Sequence, residues 1–129
     1  MALELIEETL APPAEDPDPY LTSVAVDEAG RVLGYVTWGH QPGSEDAYDL
    51  YWIAVDPTLH GRGVGRLLVG LVEDAVRGRG GGTVIIETAS KASYENTRAF
   101  YLRTGYVERE RVADYYAPGD HKVVYVKRV

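Results

Sequence analysis

The sequence has 129 residues, room for one domain, with 45% hydrophobic and 26% charged residues and a net charge of −7. The absence of cysteine excludes disulfides, thiolate metal sites and a cysteine nucleophile, and it fits a reducing cytoplasm. The acidic balance argues against nucleic acid as a partner, no apolar run is long enough to span a membrane, and the first ten residues carry Glu4, Glu7 and Glu8 without a Lys or Arg, unlike a signal peptide.

Residues 2–10 place Leu3, Ile6 and Leu10 at helical spacing, so the pattern predicts a short helix that ends before Pro12 and Pro13. Residues 11–19, with Pro17 and Pro19, read as an acidic proline-rich loop. Residues 20–27 and 31–38 read as strands joined by a turn over 27–30. After a loop over 39–46, residues 48–55 are aromatic and β-branched throughout, as in a strand covered on both faces. A glycine-rich turn leads into a predicted helix over 62–77, where Val64, Leu67, Leu68, Leu71, Val72, Ala75 and Val76 share one side. A buried strand over 83–88 follows, then a helix over 94–103 that stops near Gly105, and two strands over 106–112 and 122–127 with residues 115–121 between them. The expected fold is α/β (α+β): a single domain over 1–129, built on a mixed, mostly antiparallel sheet of about six strands with helices on both faces.

The richest segment is His60-Gly61-Arg62-Gly63-Val64-Gly65-Arg66, which passes from a strand into an amphipathic helix. Alternating glycines let the backbone bend tightly and turn unpaired N–H groups toward an anion, and the helix start adds its own N–H groups and positive dipole. Arg62 and Arg66 supply full charges. The physical reading is a pyrophosphate cradle. A mononucleotide P-loop is excluded because Gly65 is followed by Arg66-Leu67 instead of Lys-Ser/Thr. A dinucleotide-binding turn is excluded because its third glycine falls on Arg66, and because a hairpin precedes the unit.

This turn resembles that of the GNAT superfamily of acetyl-CoA-dependent N-acyltransferases, whose signature is Gln/Arg-x-x-Gly-x-Gly/Ala. His60 replaces the first residue and Gly63 and Gly65 match. A second match is Tyr101-Leu102-Arg103-Thr104-Gly105-Tyr106, against the family's Tyr-x-x-x-Gly-Phe/Tyr. The resemblance runs from about residue 20 to the C-terminus. It implies acetyl-CoA as cosubstrate without a metal, with its pyrophosphate on residues 61–66 and its pantetheine arm along Ile53 and Val55. It also implies that Tyr101 is the acid that protonates the departing thiolate; a phenol suits this because it stays protonated at neutral pH. Where the family often has an asparagine contacting the pantetheine, this chain has Tyr94; Asn96, two residues late, does not inherit the role, and the contact falls to Ser93, Tyr94 or backbone. The family's opening strand and helix are expected to be missing. That leaves the strand over 20–27 with an open edge and makes a homodimer the expected assembly.

In relatives that acetylate protein lysines, a glutamate on the central strand serves as base, and the matching position here is Asp49. Strict alternation places Asp49 on the side of Tyr51, Ile53 and Val55. Its aromatic neighbours would raise its pKa by desolvation. Glu87 is the reserve base and Asp46 a weaker one. Residues 1–56 hold twelve acids and one base, a net of −11, and residues 57–129 hold twelve bases and eight acids, a net of +4. That division favours a cationic acceptor, either a small-molecule amine or a lysine side chain. His40, His60 and His121 are too far apart in sequence to suggest a zinc site, and Ser90 and Ser93 lack a nucleophile elbow. The alternative to an N-acetyltransferase is a non-catalytic acyl-CoA-binding domain, which would bind acetyl-CoA without releasing the thiol when amines are offered.

Overall fold

The structure, a computed structural model, describes residues 3–8 and 20–129. Seven strands form one sheet in the order β1-β2-β3-β4-β5-β7-β6: β1 (Leu3–Glu8), β2 (Leu21–Asp27), β3 (Val32–His40), β4 (Ala47–Val55), β5 (Thr83–Ala89), β6 (Val107–Ala117) and β7 (Asp120–Arg128). Helix α1 (Val64–Gly78) connects β4 to β5, and α2 (Glu95–Arg103) connects β5 to β6. Every neighbouring pair is antiparallel except β4 and β5, which a helical crossover joins in parallel.

Two expectations fail at the start of the chain. Residues 3–8 are a strand, not part of a helix, and that strand pairs antiparallel with β2 from Leu3↔Asp27 to Glu8↔Thr22. The first strand expected to be missing is therefore present. The edge of β2 is taken, and with it goes the ground for a homodimer built on that edge. A pattern of Leu3, Leu5 and Glu4, Glu7, Glu8 fits both periods over six residues, and pairing with a neighbour decides between them. The proline-rich loop over 11–19 lies outside the described residues.

At the other end, β6 and β7 are longer than the pattern predicts. They close through a tight turn at Gly119 (φ 79°), so most of residues 115–121 is strand, not loop.

The main core lies between one face of the sheet and the helices. Val36, Trp38, Tyr48, Leu50, Val84, Ile86, Val123 and Tyr125 from the strands meet Leu68, Val72 and Val76 of α1 and Tyr101 of α2. Both described helices thus pack on one face, where helices on both faces were expected. The opposite face carries a smaller cluster of Ala47, Ile85 and Val124, with Val126 against it. Gly34 of β3 allows the close approach of these layers: a Cβ there would sit 2.7 Å from the Ala54 carbonyl oxygen and 3.2 Å from Leu68 Cδ1. Gly34→Ala should therefore destabilise the protein by about 1–3 kcal/mol, read as a lower midpoint in denaturant with an unchanged slope; an unaltered midpoint would mean that the strands yield to the methyl group.

Candidate active site

The site begins where two strands part. β4 and β5 pair only from Ala47↔Thr83 to Leu50↔Ile86. Beyond that point β5 follows β7 through Ala89↔Lys122, and β4 follows β3 through Val55↔Gly34. The divergence coincides with a bulge in β4: Trp38 is opposite Leu50 and Thr37 is opposite Trp52, leaving Tyr51 as the extra residue. A bulge bends and twists its strand away from the flat ladder. The inner edge of β4 beyond Leu50 thus loses its β5 partner and keeps backbone polar groups facing a cleft.

That cleft has a volume of about 560 Å³ and is lined by Ile53 and Val55 of β4, by the glycine turn, and by Asn96, Thr97, Phe100 and Tyr101 of α2. Asp56 organises the approach to the turn, its carboxylate accepting from the Thr58 N–H at 2.9 Å and hydroxyl at 2.8 Å. These bonds and the Arg31 guanidinium hold its pKa down at about 2. Gly61 (φ 81°) and Gly63 (φ 85°) lie in the left-handed region, and a Cβ at either would meet nothing within 4 Å. Conformation, not space, thus calls for glycine at both. The first helical bond runs from the Leu67 N–H to the Gly63 carbonyl, so the N–H groups of Val64, Gly65 and Arg66 have no acceptor within α1. His60 sets its Nε2 3.3 Å from the Val55 carbonyl, joining the turn to the end of β4.

Of the predicted cofactor residues, Ile53, Val55, His60, Gly61, Gly63, Val64, Gly65 and Arg66 all line the cleft. Arg62 and Tyr94 do not. Arg62 is exposed, and Tyr94, 41% exposed, stacks under the Lys91 ammonium at 5.3 Å. A short 3₁₀ turn over Ala92–Tyr94 delays α2 until Glu95, which hands the first-turn positions to Asn96 and Thr97. Asn96, set aside by counting from Tyr101, is thus the residue at the cleft. The signal for it, with Phe100 and Arg103, is their i, i+4, i+7 spacing on one side of α2.

Tyr101 is 3% exposed, and burial pushes its phenol up to about 12. It occupies the last full turn of α2, where the chain closes a Schellman motif. The Tyr106 N–H donates to the Tyr101 carbonyl at 3.0 Å and the Gly105 N–H to the Leu102 carbonyl at 3.3 Å, with Gly105 at φ 97°. The spacing Tyr-x-x-x-Gly-Tyr is that motif, and it lays the Tyr106 ring against Tyr101 with centroids 6.0 Å apart.

Asp49 lies across the sheet from Tyr101. It is in register with Ile85, on the face of the smaller cluster, whereas Ile53 and Val55 pack toward the helices. Strict alternation therefore misplaces it: the bulge at Tyr51 resets the period, so that Asp49 is opposite Ile53 and Val55. Desolvation, then the charge of Glu87, raise the Asp49 pKa, while a hydrogen bond from Tyr51 and the charge of Arg109 partly offset them. Glu87 is half exposed, with Lys122 Nζ 3.7 Å away. Asp46 is bonded to Arg128 at 2.6 Å, and that bond holds its pKa below the usual carboxylate range, unsuited to a base. Among the described residues no group of His, Asp and Glu could hold a metal ion, and no helix is long and apolar enough to cross a membrane.

A mixed sheet split between two strands, with a glycine-rich helix start on one lip of the split and a buried tyrosine on the other, defines an acyl-CoA-binding N-acyltransferase fold. The chain belongs to the acetyltransferase (GNAT) family, whose model matches residues 3–106 and so includes β1. It is 36% identical over 89 residues to an L-2,4-diaminobutyric acid acetyltransferase of Streptomyces coelicolor, covering 68% of this chain and 50% of that one. It is 32% identical over 109 residues to an uncharacterized protein of Mycobacterium leprae, covering 84% of this chain and 28% of that one. The chain thus spans half or less of the length of these two curated relatives. Among solved structures, a protein assigned to the GNAT family from Desulfovibrio desulfuricans superposes with a TM-score of 0.81 at 36% identity, over 84% of this chain and 68% of that one. An aminoglycoside 6'-N-acetyltransferase complexed with coenzyme A shares the fold at a TM-score of 0.73 and 20% identity, over 84% of this chain and 72% of that one.

The cleft's fit to a pyrophosphate is open to a direct test. Acetyl-CoA at a hundred times its dissociation constant should stabilise the fold by about 2.7 kcal/mol. Gly63→Asp, which places a strained side chain and a negative charge at the helix start, should erase that gain in a thermal-shift assay. No shift for the wild-type protein with any acyl-CoA would overturn the assignment.

Proposed function

We propose that this chain transfers an acetyl group from acetyl-CoA to a primary amine, by direct attack with both substrates bound. The observation that carries the reading is the parting of β4 and β5 after Leu50↔Ile86, which leaves a cleft lined by the free stretch of β4, the glycine turn and Tyr101. Acetyl-CoA supplies the acyl thioester. The N–H groups at 63–66 hold its pyrophosphate, and the free inner edge of β4 near Ile53 and Val55 pairs with its amide-bearing arm as an added strand would. Backbone N–H groups along that edge stabilise negative charge on the acyl oxygen.

The amine enters from the face that carries Asp49. The carboxylate of Asp49 takes the ammonium proton, directly or through a water, which frees the nitrogen lone pair to form the new C–N bond. As the C–S bond breaks, the Tyr101 hydroxyl gives its proton to the sulfur, and the second proton that the nitrogen sheds in becoming an amide returns to the phenolate. Burial keeps the phenol protonated until it is used, and the return of the amide proton means that no buried phenolate is left behind.

The acceptor we infer is a small cationic amine. Support comes from the carboxylate of Asp49, whose charge Glu87 adds to, and from the exposed rings of Tyr51 and Tyr116 near them, with Lys122 engaged by Glu87 and the Tyr115 ring. The Streptomyces relative is named for an acceptor with two amino groups, a charge that suits such a face.

An amine panel with detection of released CoA thiol tests the reading; it should include L-2,4-diaminobutyrate, spermidine and kanamycin. Tyr101→Phe should bind acetyl-CoA as the wild type does and turn over roughly a hundredfold more slowly. Unchanged turnover would return Tyr101 to packing. Asp49 must be ionised to act, and its pKa is raised, so activity should fall with decreasing pH at an inflection above the ordinary 3.8. Asp49→Asn should lose both most of the rate and that acidic limb; a variant that keeps the limb would move the base to Glu87 or to water.

A further inference from the structure

We infer that the buried Glu73 and Tyr106, with the partly exposed Lys127, form a brace that fixes the position of the Tyr101 hydroxyl, and that they are positioning residues for the acid step. Glu73 lies on α1 with 7% of its surface exposed, although a carboxylate on the inner side of a helix is costly unless paired. Its partners come from two other elements. The Tyr106 hydroxyl donates to Glu73 Oε2 at 3.0 Å, and Lys127 Nζ of β7 lies 3.0 Å from the same oxygen. Lys127 also donates to the Thr104 carbonyl at 2.9 Å. The Thr104 hydroxyl donates in turn to the Tyr101 carbonyl at 3.0 Å.

The bonds therefore run in a closed course from α1 through β7 to the last turn of α2 and back along the Tyr106 ring. The Tyr101 carbonyl is an acceptor for the Thr104 hydroxyl and for the Tyr106 N–H, and the Tyr101 ring is wedged among Phe100, Tyr106 and Tyr125 at centroid distances of 5.5–6.0 Å. None of the three brace residues lines the cleft at Tyr101. What they determine is where the end of α2 sits relative to α1, the helix whose first turn forms the glycine cradle. Acid and cradle are thereby set at a fixed separation, and an error of about 1 Å in such a placement costs on the order of a hundredfold in rate. A phenylalanine at 106 would pack the same ring without the tie, so the hydroxyl is the part that packing does not require.

The inference rests on Tyr101 as the acid, and the test separates the two. Tyr106→Phe removes one hydroxyl and leaves Glu73 paired to Lys127, so the variant should fold. Tyrosine labelled with ¹³C at Cζ gives a signal for Tyr101, assigned by its disappearance in Tyr101→Phe. In Tyr106→Phe that signal should shift or broaden. With L-2,4-diaminobutyrate, or whichever panel amine is turned over, kcat should fall roughly tenfold while the KM for acetyl-CoA stays within about twofold. Placed on Tyr101→Phe, the same change should cost nothing further, because the acid it positions is already gone. A wild-type Tyr101 signal with unchanged kcat would overturn the brace and leave the acid reading standing. Full activity in Tyr101→Phe would overturn the acid reading, whatever the signal does. An equal loss from Tyr106→Phe in both backgrounds would make the hydroxyl a stabilising group only, and so would Glu73→Gln lowering the melting temperature while leaving kcat intact.

Discussion

Everything in this site depends on β4 and β5 pairing for four residues and then separating. A parallel pair in the middle of an antiparallel sheet has no intrinsic reason to stop after Leu50↔Ile86. It stops because each strand is held more firmly by its other neighbour. β3 holds β4 and, through the bulge at Tyr51, turns it; β7 holds β5 over the full length from Thr83 to Ala89. The wedge that results has free backbone along one lip and a floor of apolar side chains. An extended amide chain completes such an edge at little cost in ordering, since the protein side is already fixed.

The bulge also decides which face each chemical group addresses. Without the extra residue, Asp49, Ile53 and Val55 would lie on one side, and a carboxylate would face the cleft. With it, Ile53 and Val55 turn toward α1, and Asp49 turns toward the face of the smaller cluster. One inserted residue thus keeps a carboxylate off the cleft's face of the sheet, which in the proposed reaction keeps it away from the phosphates of the acyl donor.

How much of this was legible in the sequence depended on whether the signal was local. The glycine turn and the Tyr101–Tyr106 spacing were legible because each is a short-range device. Positive φ at 61, 63 and 105 needs glycine whatever surrounds it, and a Schellman motif is closed by bonds within six residues. Asp49 was placed on the wrong side of its strand, because a bulge is created by the partner strand and leaves no mark on the strand that carries it. The first strand was misread for a similar reason: six residues carry too few periods to separate helix from strand, and the deciding bonds come from β2. Asn96 was discounted because counting assumed a helix already running at Tyr94, whereas a 3₁₀ turn intervenes.

The least legible part was Glu73. At its position on α1, between Val72 and Val76, helical spacing points it at least partly inward, where a lone carboxylate would be anomalous. The residues that make it tolerable are 33 and 54 positions further along, on a turn and a strand that become neighbours only when the sheet is complete. Such a group offers little as a source of net stability, since an apolar side chain of similar size would fill the space without a desolvation cost. Its effect is directional instead. A hydrogen-bonded carboxylate fixes the angles and separations of three elements in a way that apolar packing, tolerant of small slips, does not. The proposed transfer, in which one phenol is held at a fixed distance from one anion cradle, has a use for that direction.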